Sequence, residues 1–388
     1  MKKSTGVVVS LLAIVGASGY AVQDLRPREQ AAIDEPFVGV TTDGDVLPGL
    51  YSIRATGVST EPIREAAVAF MASLSAEQKA ETSFAANDIE WRRWHNVHRA
   101  PRRGISFGEM DEAQRSKAYA MFRESLSAKG LEKTRNVMKL NEHLAELVGK
   151  HGEYGEEFYF ITVMGEPSTG EPWGWQLDGH HLVFNFVVLG DQVVMSPAFM
   201  GSEPVTGSGA FAGIEVMQDE QDKGLALMES LDADQQARAQ IAGDKTRGNA
   251  LAQAFNDNLV LDYQGLVAKD MTPAQRKALF AVIGEYIYNM NESHAAIRMR
   301  QIEEHVDDTY FAWIGTTGED AVFYYRIQSP VILIEFDHQG PIALDGPKLA
   351  SRRHVHSVVR TPNGNDYGKD LLRQHYARHS NDAAHGHD

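Results

Sequence analysis

A chain of 388 residues with 43% hydrophobic and 23% charged residues can bury a large core and reads as globular. Its net charge of −16 excludes a general nucleic-acid binder. The absence of cysteine excludes disulfides, thiolate metal ligands, a cysteine nucleophile and a lipid-modified cysteine anchor.

The chain opens with Met1, Lys2 and Lys3, then an apolar segment from Gly6 to Gly16 and small residues through Ala21. That layout predicts a secretory signal over residues 1–21, and its apolar part is short for a bilayer span. The protein is therefore expected to be exported, periplasmic or extracellular, with no stable membrane insertion after signal removal. Residues 22–60, punctuated by Pro27, Pro36, Gly39 and Gly44, predict an extended arm.

Helical signals follow. The stretch from Ala69 to Ala80 (AFMASLSAEQKA) resembles that from Ala226 to Ala237 (ALMESLDADQQA). Each starts a helix with a capping box, Ser75 with Gln78 and Asp232 with Gln235. Asp111 with Gln114 and Thr272 with Gln275 predict two more starts, the last with Pro273 at the first helical position.

Two apolar, β-branched stretches then read as buried strands. One is Leu182-Val-Phe-Asn-Phe186, preceded by a turn-forming Asp178-Gly179 and by His180 and His181. The other is Ile332-Leu-Ile-Glu-Phe336. Like landmarks recur about 150–160 residues apart, far beyond the period of a solenoid. The expected fold is α+β and internally duplicated: two helix-pair-plus-β units, residues 61–208 and 209–350. Residues 351–388 add a His-Val-His strand, an Asn363-Gly364 turn and a short helix over 370–379.

Strand alternation sorts the chemistry. His181, Val183 and Asn185 share one face of the first strand, and Glu335 stands where Asn185 does in the second. A carboxylate in so apolar a strand requires a cation, a hydrogen-bond partner or a proton. Pairing with Arg326 is the bland account; ligation or general-base work is the functional one. His354 and His356, at i and i+2, point the same way and can chelate one ion.

Without thiolates such a site uses imidazole and carboxylate, a set that suits zinc, iron, copper or manganese. His181, His338, His354 and His356 are the candidate ligands, and Glu335 and Asn185 the candidate catalytic residues. His180, adjacent to His181 and facing the other way, is assigned to packing or ligand contact, with Trp175 beside it. Arg360, Tyr367 and Lys369 form a turn suited to an anionic group, although an Asx-rich strand stop explains the turn equally well. The segment from Trp91 to Arg99, with Arg102 and Arg103, suits a substrate carboxylate or plain cation–π packing. Walker, dinucleotide, nucleophile-elbow and His-Glu-x-x-His motifs are absent.

Glu90-Trp-Arg-Arg-Trp94, Pro172-Trp-Gly-Trp-Gln176, Phe199-Met-Gly-Ser-Glu-Pro204, Phe323-Tyr-Tyr-Arg-Ile327 and the block from His354 to Tyr376 resemble the family catalogued as domain of unknown function 3500. The resemblance covers most of the chain after the signal and implies no activity. The expected function is therefore an exported metal-dependent enzyme acting on a small-molecule or anionic substrate. Hydrolysis is the default, with oxygen chemistry as the variant if the ion is iron or copper. Two rivals stand beside it: a non-catalytic metal- or anion-binding protein, and a metal-free interaction module.

Overall fold

The computed structural model describes residues 25–385, so the segment read as an export signal lies outside them. The arm, predicted as extended throughout, begins instead with α1 (Pro27–Asp34) and continues to Thr60 through bends and turns, with one bridge from Thr41 to Val260. Then come α2 (Glu61–Ser73), α3 (Ala76–Thr82), β1 (Ser83–Phe84), β2 (Ile105–Ser106), α4 (Glu112–Ser125) and α5 (Ala128–Val148). Four strands follow: β3 (Phe160–Met164), β4 (Trp173–Gly179), β5 (Leu182–Leu189) and β6 (Gln192–Ser202). The chain continues with α6 (Gln218–Ser230), α7 (Ala233–Ala239), β7 (Gln240–Ala242), β8 (Leu266–Val267), α8 (Pro273–Ile287) and α9 (Glu292–Glu303). It closes with β9 (Tyr310–Gly315), β10 (Phe323–Gln328), β11 (Leu333–Gln339), β12 (Ser351–Arg360) and α10 (Lys369–His385). The fold is α+β, and α2 through β6 come in the same order as α6 through β12.

All four capping boxes form as the sequence predicts. Their glutamines do more than cap. Gln114 Nε2 donates to Gln78 Oε1 at 2.8 Å and to the Ser73 carbonyl at 3.0 Å. Gln275 Nε2 does the same to Gln235 Oε1 at 2.8 Å and the Ser230 carbonyl at 2.9 Å. Each amide thus ties two helix starts together, where a buried polar group would otherwise be unsatisfied.

One twelve-stranded mixed sheet runs β1-β3-β4-β5-β6-β12-β11-β10-β9-β7, with β2 on β3 and β8 on β9. At its centre β6 and β12 pair antiparallel, Phe199 opposite Val358. Trp175 pairs with Val163 and Phe186, as Tyr325 pairs with Trp313 and Phe336. Strand alternation sends Leu182, Phe184, Phe186, Ile332, Ile334 and Phe336 to the helix-covered core. Val183, Phe199, Leu333 and Val358 face the other side, against Trp91, Trp94, Tyr367 and Val40 of the arm.

The predicted Asp178-Gly179 turn is displaced by two residues. Asp178 and Gly179 finish β4, and His180-His181 make the turn, with Gly179 paired to Leu182. Packing explains the glycine: a Cβ on Gly179 would come within 2.1 Å of the Tyr159 ring. Strand β12, the Asn363-Gly364 turn and the final helix stand where expected, although the helix is longer, spanning Lys369–His385.

Candidate metal centre

On β12, His354 and His356 project to the face away from the helices, together with Val358. His181 reaches the same point from the β4–β5 turn, held at φ 61°, a left-handed conformation that a non-glycine residue adopts at a cost. Gly201 of β6 lies between them. It pairs with His356, donates its N–H to the His181 carbonyl at 2.8 Å, and has no room for a Cβ, which would meet the Val355 oxygen at 2.2 Å.

The three Nε2 atoms form a triangle. His181 to His354 is 3.0 Å, His181 to His356 is 3.1 Å, and His354 to His356 is 3.0 Å. The tautomers follow from the other ring nitrogens. His354 Nδ1 donates to the Gly340 carbonyl at 2.7 Å, which can only accept. His356 Nδ1 donates to Gln253 Oε1 at 3.2 Å, while Gln253 Nε2 donates to the Ala250 carbonyl and fixes the amide orientation. Two Nε2 lone pairs therefore point at a shared centre, and one proton on His181 could bridge only one of the three contacts. A cation about 1 Å above the triangle would sit ~2.0–2.1 Å from each nitrogen, the usual zinc–imidazole distance. Burial and the neighbouring imidazoles hold His181 well below the ordinary imidazole range, and burial does the same for His356 and, less far, for His354. Neutral rings are the ligating form.

Each ligand is backed by a loop, and each loop is clamped by buried charge. Behind His181, the Asn96 carbonyl accepts its N–H at 3.1 Å. Arg102 gathers that loop through the His95 and Val97 carbonyls and pairs with Asp178 at 2.9 Å. Behind His356, Glu335 accepts the Leu251 and Ala252 N–H groups at 3.0 and 2.7 Å and the Tyr324 hydroxyl at 2.6 Å. Asp337 accepts the Asn249 and Ala250 N–H groups, and Arg360 donates to the Ala252 and Gln253 carbonyls. Behind His354, Glu203 accepts the N–H groups of Ile342, Ala343 and Leu344 at 2.9–3.1 Å. Such partners orient metal ligands as much as the ligands' own strands do.

Of the predicted ligands His181, His354 and His356 converge and His338 does not. It lies opposite Val355, on the helix face, where Nδ1 accepts the Phe323 N–H and Nε2 donates to Gln221 at 2.9 Å. Burial takes it down to about 3. Neither predicted catalytic residue is free at the centre. Glu335 is committed to the loop and Tyr324, not to Arg326. Asn185 accepts from Gln176 at 2.7 Å and donates to the Pro197 carbonyl at 2.8 Å.

The predicted anion turn is internal. Arg360 pairs with Asp257 at 2.7 Å and Asp366 at 3.2 Å, and Tyr367 donates to Asp257 at 2.9 Å. Lys369 is partly buried nearby. Trp175 stacks on Phe186 in the helix-side core. His180 stacks on His181 at 4.0 Å, where an opposite orientation was expected, and donates from Nδ1 to Asn141 at 2.7 Å. Arg92 and Arg102 are likewise buried in ion pairs, and Arg92 lies over the Phe37 ring, the packing alternative of the sequence reading.

Gln253, Glu203, Asn96 and Gly340 were not legible, because they lie in irregular loops whose placement depends on distant strands. A second group, Glu171, His375 and His379, also brings ligand atoms within 4.8 Å, with two of its three residues exposed. No described helix is long and apolar enough to cross a membrane. No curated protein and no solved structure matches the chain. Residues 56–369 match the family described as Protein of unknown function (DUF3500), and the chain belongs to that family.

Proposed function

We propose that the protein is an exported metal-dependent enzyme of hydrolase type, with one divalent ion held by His181, His354 and His356. The observation that carries this reading is the triangle of Nε2 atoms at 3.0–3.1 Å, with two Nδ1 groups committed as donors. Three imidazoles on one side of an ion leave coordination positions open on the other, and such an ion lowers the pKa of a bound water to about 7. His356 is the partly exposed member of the three and marks the side of approach. Glu335 acts here as a positioning residue, through Gln253, and not as a base.

One observation favours a second reading, a non-catalytic metal binder: Glu335, the base candidate, is fully engaged elsewhere. Elemental analysis of natively purified protein beside a His354→Ala/His356→Ala variant tests the ion itself. Near-stoichiometric metal lost in the variant supports the centre. A folded wild type that stays metal-free after reconstitution overturns it. Hydrolysis of ester, amide and phosphoester panels by the metal-loaded protein then separates enzyme from binder.

We also infer that α2–β6 and α6–β12 descend from one duplicated unit, with β12, which the sequence set after residue 350, as the counterpart of β6. The common element order and the matching registers around Trp175 and Tyr325 support this. Export rests on the Lys2-Lys3 and Gly6–Ala21 pattern, and a reporter fused after residue 24 tests it.

A further inference from the structure

On the helix face, opposite the histidines, the sheet centre does not close. A pocket lies under the end of α8 and the second half of α9, lined by Tyr286 and Ile287 of the one and Arg298 and Gln301 of the other. Its walls include Phe184, Val193, Met195, Ala198, Met200 and Val331. Ser357 and Val359 of β12 also line it, alternating with the histidines that face the other way.

Two polar groups in this lining are under-committed. Arg298 donates to the Val331 carbonyl, to Thr361 Oγ1 at 3.3 Å and to Gln301 Oε1 at 3.3 Å, all neutral acceptors. Among the described residues no carboxylate pairs with it; the exposed Arg54 and Glu304 also line the pocket. Arg298 is half-buried and its nearest carboxylate influence, Asp366, makes no direct contact with it, so an anion entering the cavity would give it a direct counter-ion. Asn289, 4% exposed, has Oδ1 without a partner and Nδ2 donating only to the Met200 sulfur at 3.7 Å. Burial also weakens the hold of Arg298 on its proton, and the nearby Tyr51 and Asp366 offset this only in part.

We propose that this cavity binds an amphiphilic monocarboxylate, its carboxylate on Arg298 and its aliphatic body along the apolar walls. A planar guanidinium matches a carboxylate in charge and geometry, and Phe184, Val193, Met195, Ala198 and Met200 offer apolar wall for the remainder. The inference is independent of the metal reading, which concerns the opposite face.

The test is titration of the full protein with decanoate and with decanol, below their aggregation limits, followed by calorimetry. Decanoate should bind at least tenfold more tightly than decanol. Arg298→Gln should erase that preference while leaving the melting temperature and metal content near wild type. Val193→Trp, which fills the cavity, should abolish binding of both. Equal affinity of the two ligands for the wild type, or binding of neither, overturns the proposal. Should Arg298→Gln fail to fold, the wild-type preference and the Val193→Trp result still decide it.

Discussion

Two imidazole nitrogens 3.0 Å apart with lone pairs facing one another repel unless a proton or a cation lies between them, and the proposed ion would relieve all three contacts at once. The amide behind His356 is therefore a direct test of the centre. Gln253→Leu removes the acceptor of His356 Nδ1 and should weaken metal binding about 10–100-fold while the fold persists, read by competition with a chromogenic chelator. Unchanged affinity would show that the tautomer is set by something else. Glu90 tests a different consequence of burial. Its Oε2 has no hydrogen-bond partner, and burial pushes the carboxyl up to about 7 despite Arg103 and Arg93 nearby. Between the ordinary value of 4.5 and 7 the folded chain keeps a proton that the unfolded chain has lost. Folding stability thus falls as pH rises through that window. Glu90→Gln removes the titration and should stabilise the protein at pH 8 by about 1–3 kcal/mol, with little effect at pH 4.5. Denaturant melts at the two pH values check it, and an equal effect at both would refute it.

Elements rather than single residues set the distance between the ligands. Strand β6 separates His181 from β12, and Gly201 lets the strands meet without a side chain between them. Gly201→Ala should cost about 1–3 kcal/mol through strand displacement and should reduce metal content with it. The loop over residues 249–253 is positioned by charge buried on β11. Glu335→Leu leaves the Leu251 and Ala252 N–H groups and the Tyr324 hydroxyl unpaired, so a loss of about 2–4 kcal/mol is expected. If Glu335 acts only by positioning, Glu335→Gln should lower metal affinity more than it alters turnover per bound metal. A loss of turnover at full metal occupancy would return Glu335 to the chemistry. The strands were legible because alternation of Leu182, Phe184 and Phe186 separates two faces under a single rule. The turn was not, because Asp178-Gly179 satisfies turn preference locally while the Tyr159 ring claims that glycine for packing.

At the scale of the molecule the centre joins distant parts of the chain, the β4–β5 turn and the last strand, so an ion there should bind the folded state alone. At a free metal concentration of about 100 times Kd, linkage adds ~2.7 kcal/mol to stability. Chelation should therefore lower the melting temperature of the wild type and leave a His354→Ala/His356→Ala variant unmoved. An equal shift in both would place the stabilising ion elsewhere, with Glu171, His375 and His379 the next residues to test.

By itself the sequence determined the helix starts, because Ser75, Asp111, Asp232 and Thr272 carry their capping partners three residues away. It also determined the two apolar strands and the pairing of His354 with His356 on one strand face, since these follow from periods of a few residues. Only the tertiary structure decided which other histidine joins them. His181 and His338 both lie at strand ends with equal local claims, and strand order with register sends one to each face of the sheet. The same holds for Glu335 and Arg360, whose buried charges suggested chemistry from the sequence. Both hold backbone groups of one loop more than eighty residues away in the chain, a distance across which no local pattern carries information.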